Sequence, residues 1–402
     1  MRLIEVTDQQ SAKEFLLLPV SLYKNEPHWI RPIDKELNNV FDQEHNKYFR
    51  NGELIRWIIK NDANEVVGRV AAFINQKTVK KDNDQPTGGM GFFDCINDKK
   101  AAFMLFDACK KWLEEHGMEA MDGPINFGDR DKWWGLLVKG FEIDPNYNCN
   151  YNFPYYQELF EAYGFKTYFE QITFVRKTLD PLNPRLQEKA QRIFNNPKYS
   201  FSHIKLKEID KYTKYFHEVY NAAWSSHKGV PALSLQMAKH LMKQMKPIID
   251  EKIMYFGFYE GKPVAFFIIL PEVNQIFKYL NGKLDLIGKL KFAWHTWRKT
   301  NKKMVGMIFG IVPEHQGKGV EGAIIEAVRL RVQGDYQRYE DFEMNWIGDF
   351  NVRMIHVAEQ VGGERGKIHK TYRYLFDRTK PFKRMPFIGE RKGKTEEDGQ
   401  AD

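Results

Sequence analysis

Two halves of this chain can be laid on one another, and that repeat restricts the fold more than any other feature of the sequence. The first half runs "EVVGRVAAFIN" (65–75), "DKKAAFMLFDACKKWLEEHG" (98–117) and "NFPYYQELFEAYGFKTYFEQITFVR" (152–176). The second runs "EGKPVAFFIIL" (260–270), "GVEGAIIEAVRLRVQGD" (319–335) and "NVRMIHVAEQVGGERGKIHKTYRYLF" (351–376). Each reads strand, helix, strand, helix, strand, so the repeat is of domain size and not of solenoid period. The helices follow from period: Ala102, Leu105, Phe106, Cys109 and Leu113 share one face, as do Val320, Ala323, Ile324, Ala327 and Val328. Asp98 is placed to cap the first of these helices and Gly117 to stop it. The strand segments, such as "LIRWII" (54–59), "ITFV" (172–175) and "MVGMIFGIV" (304–312), are rich in β-branched and aromatic residues.

A chain of 402 residues accommodates two such domains. Hydrophobic residues at 43% and aromatics at 14% fill two cores, which excludes a disordered or fibrous protein. The joint is "KTLDPLNPRLQ" (177–187), with two prolines and turn residues. The expected division is a first domain over 1–178, a second over 185–380, and a charged, Gly-rich flexible tail over 388–402. Two connections are unusually long, 127–151 and 271–303, and such segments carry function or small elements of their own. Cys95, Cys109 and Cys149 have neither zinc-site nor disulfide spacing, so no metal is expected. The start, "MRLIEVTDQQ", has no signal-peptide pattern, and the run Val264–Leu270 is too short to span a bilayer. A cytoplasmic location is expected. The net charge of +8 suits an anionic ligand such as a nucleotide cofactor and does not by itself argue for nucleic acid.

The stretch "IVPEHQGKGVEGAII" (311–325) carries the sharpest functional signal. A strand ends at Ile311 and Val312. Gln316, Gly317, Lys318 and Gly319 form a turn, and a helix starts near Val320, Glu321 and Gly322. Glycines let successive N–H groups face one point, and a helix start adds partial positive charge, so the stretch suits a pyrophosphate. A plain glycine turn before a helix is the other reading of the same residues.

Val312-Pro313-Glu314 followed by Gln316-Gly317-x-Gly319 after an apolar strand resembles the signature of the GNAT (GCN5-related) N-acetyltransferases. The words "LPVSLYKNEPHWIRP", "DGPINF" and "GLLVKGF" resemble a bacterial group of GNAT-like predicted acyltransferases of about this length. The resemblance covers both halves. It implies an α/β (α+β) chain of two GNAT-like domains, each a mixed, mostly antiparallel sheet flanked by helices. It further implies acetyl-CoA or another acyl-CoA, its pyrophosphate held by a motif that Gln316, Gly319 and position 321 match. The implied reaction is direct acyl transfer to a small-molecule amine held between the domains. Three departures stand out. Glu321 replaces the family's Gly or Ala. Ala358 and Phe160 stand where the family often has a tyrosine that protonates the leaving thiolate. The first half's equivalent loop, "CINDKKAAF" (95–103), has no glycine, so that half is expected not to bind CoA.

Acyl transfer needs a base, a thiolate donor and an oxyanion contact. Glu343 or Asp349 could serve as base, with His356 as a further titratable candidate. The plain alternatives are a solvent-facing strand residue for Glu343 and a helix N-cap for Asp349. Tyr156 and its neighbour Tyr155 could supply the acid or line the substrate cleft, or simply pack. Asn126, Trp133 and Trp134 are read as cleft residues, since two adjacent tryptophans in a charged loop are hard to bury together. The basic segment 283–303 is either a solvated face or an amphipathic element over the acceptor site or an anionic membrane. Two other functions fit the fold: a catalytically degenerate ligand- or partner-binding protein, and tRNA-dependent aminoacyl transfer. The second needs a broader basic face than this charge provides.

Overall fold

The computed structural model describes residues 1–80, 83–224 and 232–388. The first half is built from β1 (Arg2–Glu5), α1 (Gln9–Leu22), α2 (Asp34–Phe41), β2 (Gly52–Lys60), β3 (Val66–Asn75), β4 (Thr87–Cys95), α3 (Lys99–Glu115), β5 (Ala120–Gly123), β6 (Leu136–Lys139), α4 (Tyr156–Tyr163) and β7 (Lys166–Lys177). The second contains α5 (Pro184–Phe194), β8 (Tyr199–His203), α6 (Ile209–Trp224), α7 (Leu235–Met245), β9 (Tyr255–Tyr259), β10 (Lys262–Pro271), α8 (Asn274–Phe277), α9 (Leu286–Trp297), β11 (Lys303–Ile311), α10 (Val320–Gln333), β12 (Asp341–Gly348), α11 (Val352–Gln360) and β13 (Glu364–Leu375).

Among the described residues the strands form one mixed, mostly antiparallel sheet. Its order is β1-β2-β3-β4-β5-β13-β7-β12-β11-β10-β9-β8, with β6 beside β13. The parallel pairs are β4 with β5 and β11 with β12. These are the two equivalent strand pairs of the repeat, each joined by a crossover helix, α3 or α10. The last strand of each half then completes the sheet of the other: β7 pairs with β12, and β13 pairs with β5 as well as with β7. The halves therefore share a continuous hydrogen-bonded ladder.

Helix packing follows the apolar stripes. Leu105, Phe106, Cys109 and Leu113 of α3 are fully buried against the first half's strands, together with Tyr156 and Phe160 of α4. Val320, Ile324, Val328 and Val332 of α10 cover one face of the second half's sheet with Ile253, Phe267 and Ile269. Helices α6 and α7 cover the other face, through Phe216, Val219 and Met242 against Phe256, Phe266 and Ile268. Asp98 caps α3 by accepting from the Ala101 N–H at 2.9 Å. The long connections carry short elements: β6 lies within 127–151, and α8 and α9 within 271–303. The joint does more than turn, because Asn183 caps α5 and Pro184 is its first residue. The tail read over 388–402 lies, apart from Ile388, outside the described residues.

Candidate functional site

Strands β11 and β12 pair only where Lys303–Gly306 meets Asp341–Met344. Beyond this they part: β11 stays on β10 through Ile311, and β12 stays on β7 through Gly348. At the parting point Ile268 pairs with Ile308 and Ile269 with Gly306, which leaves Met307 without a partner in either ladder. Such a bulge bends the strand and re-aims its main chain. The outcome is a V-shaped gap with Met307, 41% exposed, near its apex.

The β11 arm of the V leads into the glycine loop. Pro313–His315 makes one 3-10 turn, Gly317 takes φ +71° and Gly319 takes φ +96° as the N-cap of α10. Glycine has no side chain to accept from the first N–H groups of the helix, so they point outward without a side-chain cap. A Cβ on Gly319 would meet nothing closer than 3.6 Å, so what glycine provides there is the left-handed backbone. The turn is braced by Gln316, whose Nε2 donates to Ile311 O at 2.9 Å, and by His315, whose Nδ1 lies 2.6 Å from the Tyr199 hydroxyl. Burial, reinforced by Lys318, holds the His315 imidazole below its ordinary pKa. Gly317 and Lys318 are exposed. Gly322 serves packing: a Cβ there would lie 2.9 Å from Leu186 Cδ1, so its absence lets α10 settle on α5. Glu321 is half-buried, and its Oε2 is shielded from solvent with no hydrogen-bond partner.

The corresponding V in the first half is closed. Strands β4 and β5 pair over Thr87–Gly89 and Ala120–Asp122, and β4 bulges at Phe92, with φ +51°. The Tyr156 hydroxyl accepts from the Cys95 N–H at 2.8 Å at the end of β4, and Asp98 places its own carboxylate on the start of α3. An incoming phosphate there would face a resident carboxylate.

Several other candidates lie elsewhere than expected. Glu343 is neither a solvent-facing strand residue nor an accessible base. It is 2% exposed and lies between Lys303 Nζ, on Oε1, and Lys367 Nζ, 2.6 Å from Oε2. Burial acts to raise its carboxyl, but Lys367 and Lys303 outweigh this and hold it below the usual range. Asp349 is not the cap of α11, a role taken by Asn351; its carboxylate pairs with Arg384. His356 is exposed on α11. Tyr156 is fully buried, and Tyr155 donates to Cys95 O at 2.7 Å, so both tyrosines pack within the first half. Asn126 is 4% exposed with Oδ1 unpartnered. The paired tryptophans do not bury together: Trp133 is buried and Trp134 is not. Trp133 packs with Leu37, Ile125 and Phe127, and Trp134 is half-buried with the Arg130 guanidinium 5.5 Å from its ring. Trp133 also lines a cavity of about 80 Å³ with Arg69, Phe92 and Asp94. A larger cavity, about 320 Å³, includes Asn301 and Arg338, just before β11 and β12, and so lies at the opposite ends of these strands from the loop.

Sequence reasoning passed over a buried polar cluster where the halves meet. Glu272 Oε1 accepts from Tyr147 N at 2.9 Å and Asn274 N at 2.8 Å, and burial raises its carboxyl to about 7. Lys367 also donates to Asp144 O at 3.0 Å, and Asn274 Nδ2 donates to Pro145 O at 2.9 Å. His369 Nε2 lies 3.0 Å from Asn150 O, and burial pushes its imidazole down to about 4. The segment 144–150 of the first half is thus held by polar groups of the second. These partners are more than 100 residues apart, so no local pattern marks them. Among the described residues no group of His, Cys, Asp and Glu is arranged to hold a metal.

Two halves of this topology, the second with parallel strands that splay at a bulge and a glycine loop opening a helix, give the chain a tandem GNAT-like fold. The fold is shared, over 93% of this chain, with the tandem GNAT protein from the clavulanic acid biosynthesis pathway (TM-score 0.52, 10% identity, 98% of that chain). It is shared to a similar degree with a GCN5-related glucosamine N-acetyltransferase region in a fungal multi-domain GH3 β-N-acetylglucosaminidase (TM-score 0.51, 12% identity); the match spans 38% of that longer protein. By sequence the chain is 24% identical over 375 residues to the bacterial ceramide synthase of Caulobacter vibrioides, covering 92% of this chain and 97% of that one. It is 25% identical over 373 residues to protein YghO of Escherichia coli, covering 91% and 93%. No protein-family model matches the chain.

Proposed function

We propose that this protein is an acyl-CoA-dependent N-acyltransferase that moves an acyl group directly from the thioester to the amine of a long-chain base. The observation that carries the reading is the open V of the second half, which runs from the unpaired Met307 into the uncapped start of α10 at Gly319. The pyrophosphate would take the N–H groups of Gly317 through Val320 and the positive end of α10, with Lys318 adding charge. The pantetheine arm would lie between β11 and β12, as a strand would. The main-chain N–H at the Met307 bulge would then face the thioester carbonyl and stabilise the oxyanion that forms on attack. Burial raises the Cys95 and Cys109 thiols, and Cys149 is pushed up to about 12, so none is poised to form an acyl-enzyme. With Ala358 and Phe160 both buried at the positions of the family's tyrosine, the thiolate leaves without a side-chain donor there.

The relative named a ceramide synthase supports this acceptor class, since a ceramide is the amide of a long-chain base. The test is incubation with a long-chain acyl-CoA and a long-chain amino alcohol, following free thiol and the amide by mass spectrometry. Thiol release that needs both substrates, together with the amide, supports the reading; thiol release indifferent to the amine contradicts it. A non-catalytic, ligand-binding role is the second reading. Glu321 favours it, because a carboxylate in the first turn of α10 opposes phosphate.

A further inference from the structure

Helix α9 is inserted between β10 and β11 and is held to the protein by one face only. Asp285 caps it by accepting from Gly288 N at 2.8 Å. On its inner face Phe292 packs 5.9 Å from the Phe277 ring, and His295 stacks on Tyr279 at 4.2 Å. The outer face is apolar and uncovered: Leu286 is 74% exposed, Ile287 65%, Leu290 64%, Trp294 53% and Trp297 74%. At about 100° per residue these five side chains fall on a single arc of roughly 100°. Lys289 borders the arc on one side, and Lys291 and Arg298 on the other. From 286 to 303 the sequence has no acidic residue. Lys303 is tied to Glu343, whereas among the described residues Lys289, Lys291, Arg298, Lys299 and Lys302 make no ion pair.

A soluble surface seldom leaves two tryptophans and three large aliphatic side chains together in water. An apolar arc edged by cations and carrying Trp and Leu is what lies in the boundary layer of a bilayer. Residues 389–402 offer no cover, since they contain no large apolar side chain. A second copy of the chain is a poor occupant. Two-fold pairing would set Lys289, Lys291 and Arg298 against the same cations, with no acid in the segment to offset them. Among the described residues no helix is long and apolar enough to cross a membrane, so α9 would lie on the surface and not span it.

We propose that α9 docks the protein on an anionic lipid bilayer, its apolar arc entering the headgroup boundary and its lysines and arginine meeting lipid phosphates. This rests on α9 alone and is independent of the acyl-transfer reading. The test is flotation of the full chain with vesicles containing phosphatidylglycerol and, in parallel, with pure phosphatidylcholine vesicles. The same measurement is made on Leu290→Glu/Trp294→Glu and on Lys289→Ser/Lys291→Ser/Arg298→Ser, each checked for an unchanged melting temperature. Wild type should float with the anionic vesicles and far less with the neutral ones. Each variant should lose about tenfold or more in partitioning, because both the apolar and the electrostatic contribution are needed. Variants that float like wild type, or a wild type that ignores anionic vesicles, would overturn the proposal. So would a wild-type dimer in sedimentation analysis that Leu290→Glu/Trp294→Glu converts to monomer without any vesicle binding.

Discussion

Lys367 Nζ lies 2.6 Å from Glu343 Oε2, and both side chains are 2% exposed. The contact joins β13 to β12 across β7, the strand that the first half contributes to the second half's sheet. Lys303 binds the other oxygen of Glu343, and Lys367 reaches on to Asp144 in the first half. One buried carboxylate therefore pairs with two buried cations at the junction, and removing it strands both.

Lys367→Met leaves Glu343 paired with Lys303, so it should destabilise by about 1–3 kcal/mol, the range for buried acceptors, here Glu343 Oε2 and Asp144 O, that lose their donor. Glu343→Gln should cost at least as much, because two buried ammonium groups then lose their counter-ion. The combined Lys303→Met/Glu343→Leu/Lys367→Met protein should regain a large part of the loss. Urea unfolding of the set checks this. A triple variant less stable than Lys367→Met would contradict the account.

Glu272 and His369 should oppose one another in the pH dependence of stability. Burial raises Glu272 from 4.5 to about 7, so the folded state holds its proton more tightly, and its contribution is lost as pH rises from 4.5 to 7. Burial lowers His369 from 6.5 to about 4, so its contribution is lost as pH falls from 6.5 to 4. Over the shared window, about pH 4.5 to 6.5, the two slopes nearly cancel. Glu272→Gln should therefore tilt the stability of the protein upward with pH relative to wild type, and His369→Gln should tilt it downward. Denaturation midpoints measured across this window decide the matter; tilts of the same sign in both variants would refute the two assignments.

Relief of Glu321 should help the cofactor. The shielded, unpartnered Oε2 sits in the first turn of α10, where it suits the helix dipole but repels a phosphate. Glu321→Ala should tighten acyl-CoA binding by on the order of 1 kcal/mol, about fivefold. Weaker binding in a titration of that variant would mean that the carboxylate makes a favourable contact with the ligand.

Much of the fold is legible because its signals are local. The stripe Leu105, Phe106, Cys109, Leu113 predicts α3, and Gly317 and Gly319 predict a turn opening α10; both stand in the structure. The exchange of β7 and β13 between the halves leaves no such trace, since strand pairing across nearly 200 residues has no period. Asn183-Pro184, read as part of a joint, was also an N-cap and first helical residue, and so a sign of α5. The candidate site divides the same way. Its loop is a contiguous motif. Glu343 reads as an accessible carboxylate because Lys303 and Lys367, which enclose it, come from other strands, and Trp133 buries because the first half's core at Leu37 and Phe127 packs on it.

The central claim is that one half alone carries the acyl-CoA site, at Gly317–Gly319. Calorimetric titration of acetyl-CoA into wild type and Gly319→Ala tests it most directly. A Cβ at φ +96° strains the turn by about 1–2 kcal/mol without a steric clash in the free protein, so the variant should fold while its N–H groups lose their common aim. The account predicts one site per chain in wild type and at least about tenfold weaker binding in Gly319→Ala, with an unchanged circular dichroism spectrum. Two sites per chain, or equal affinity in the two proteins, would contradict it.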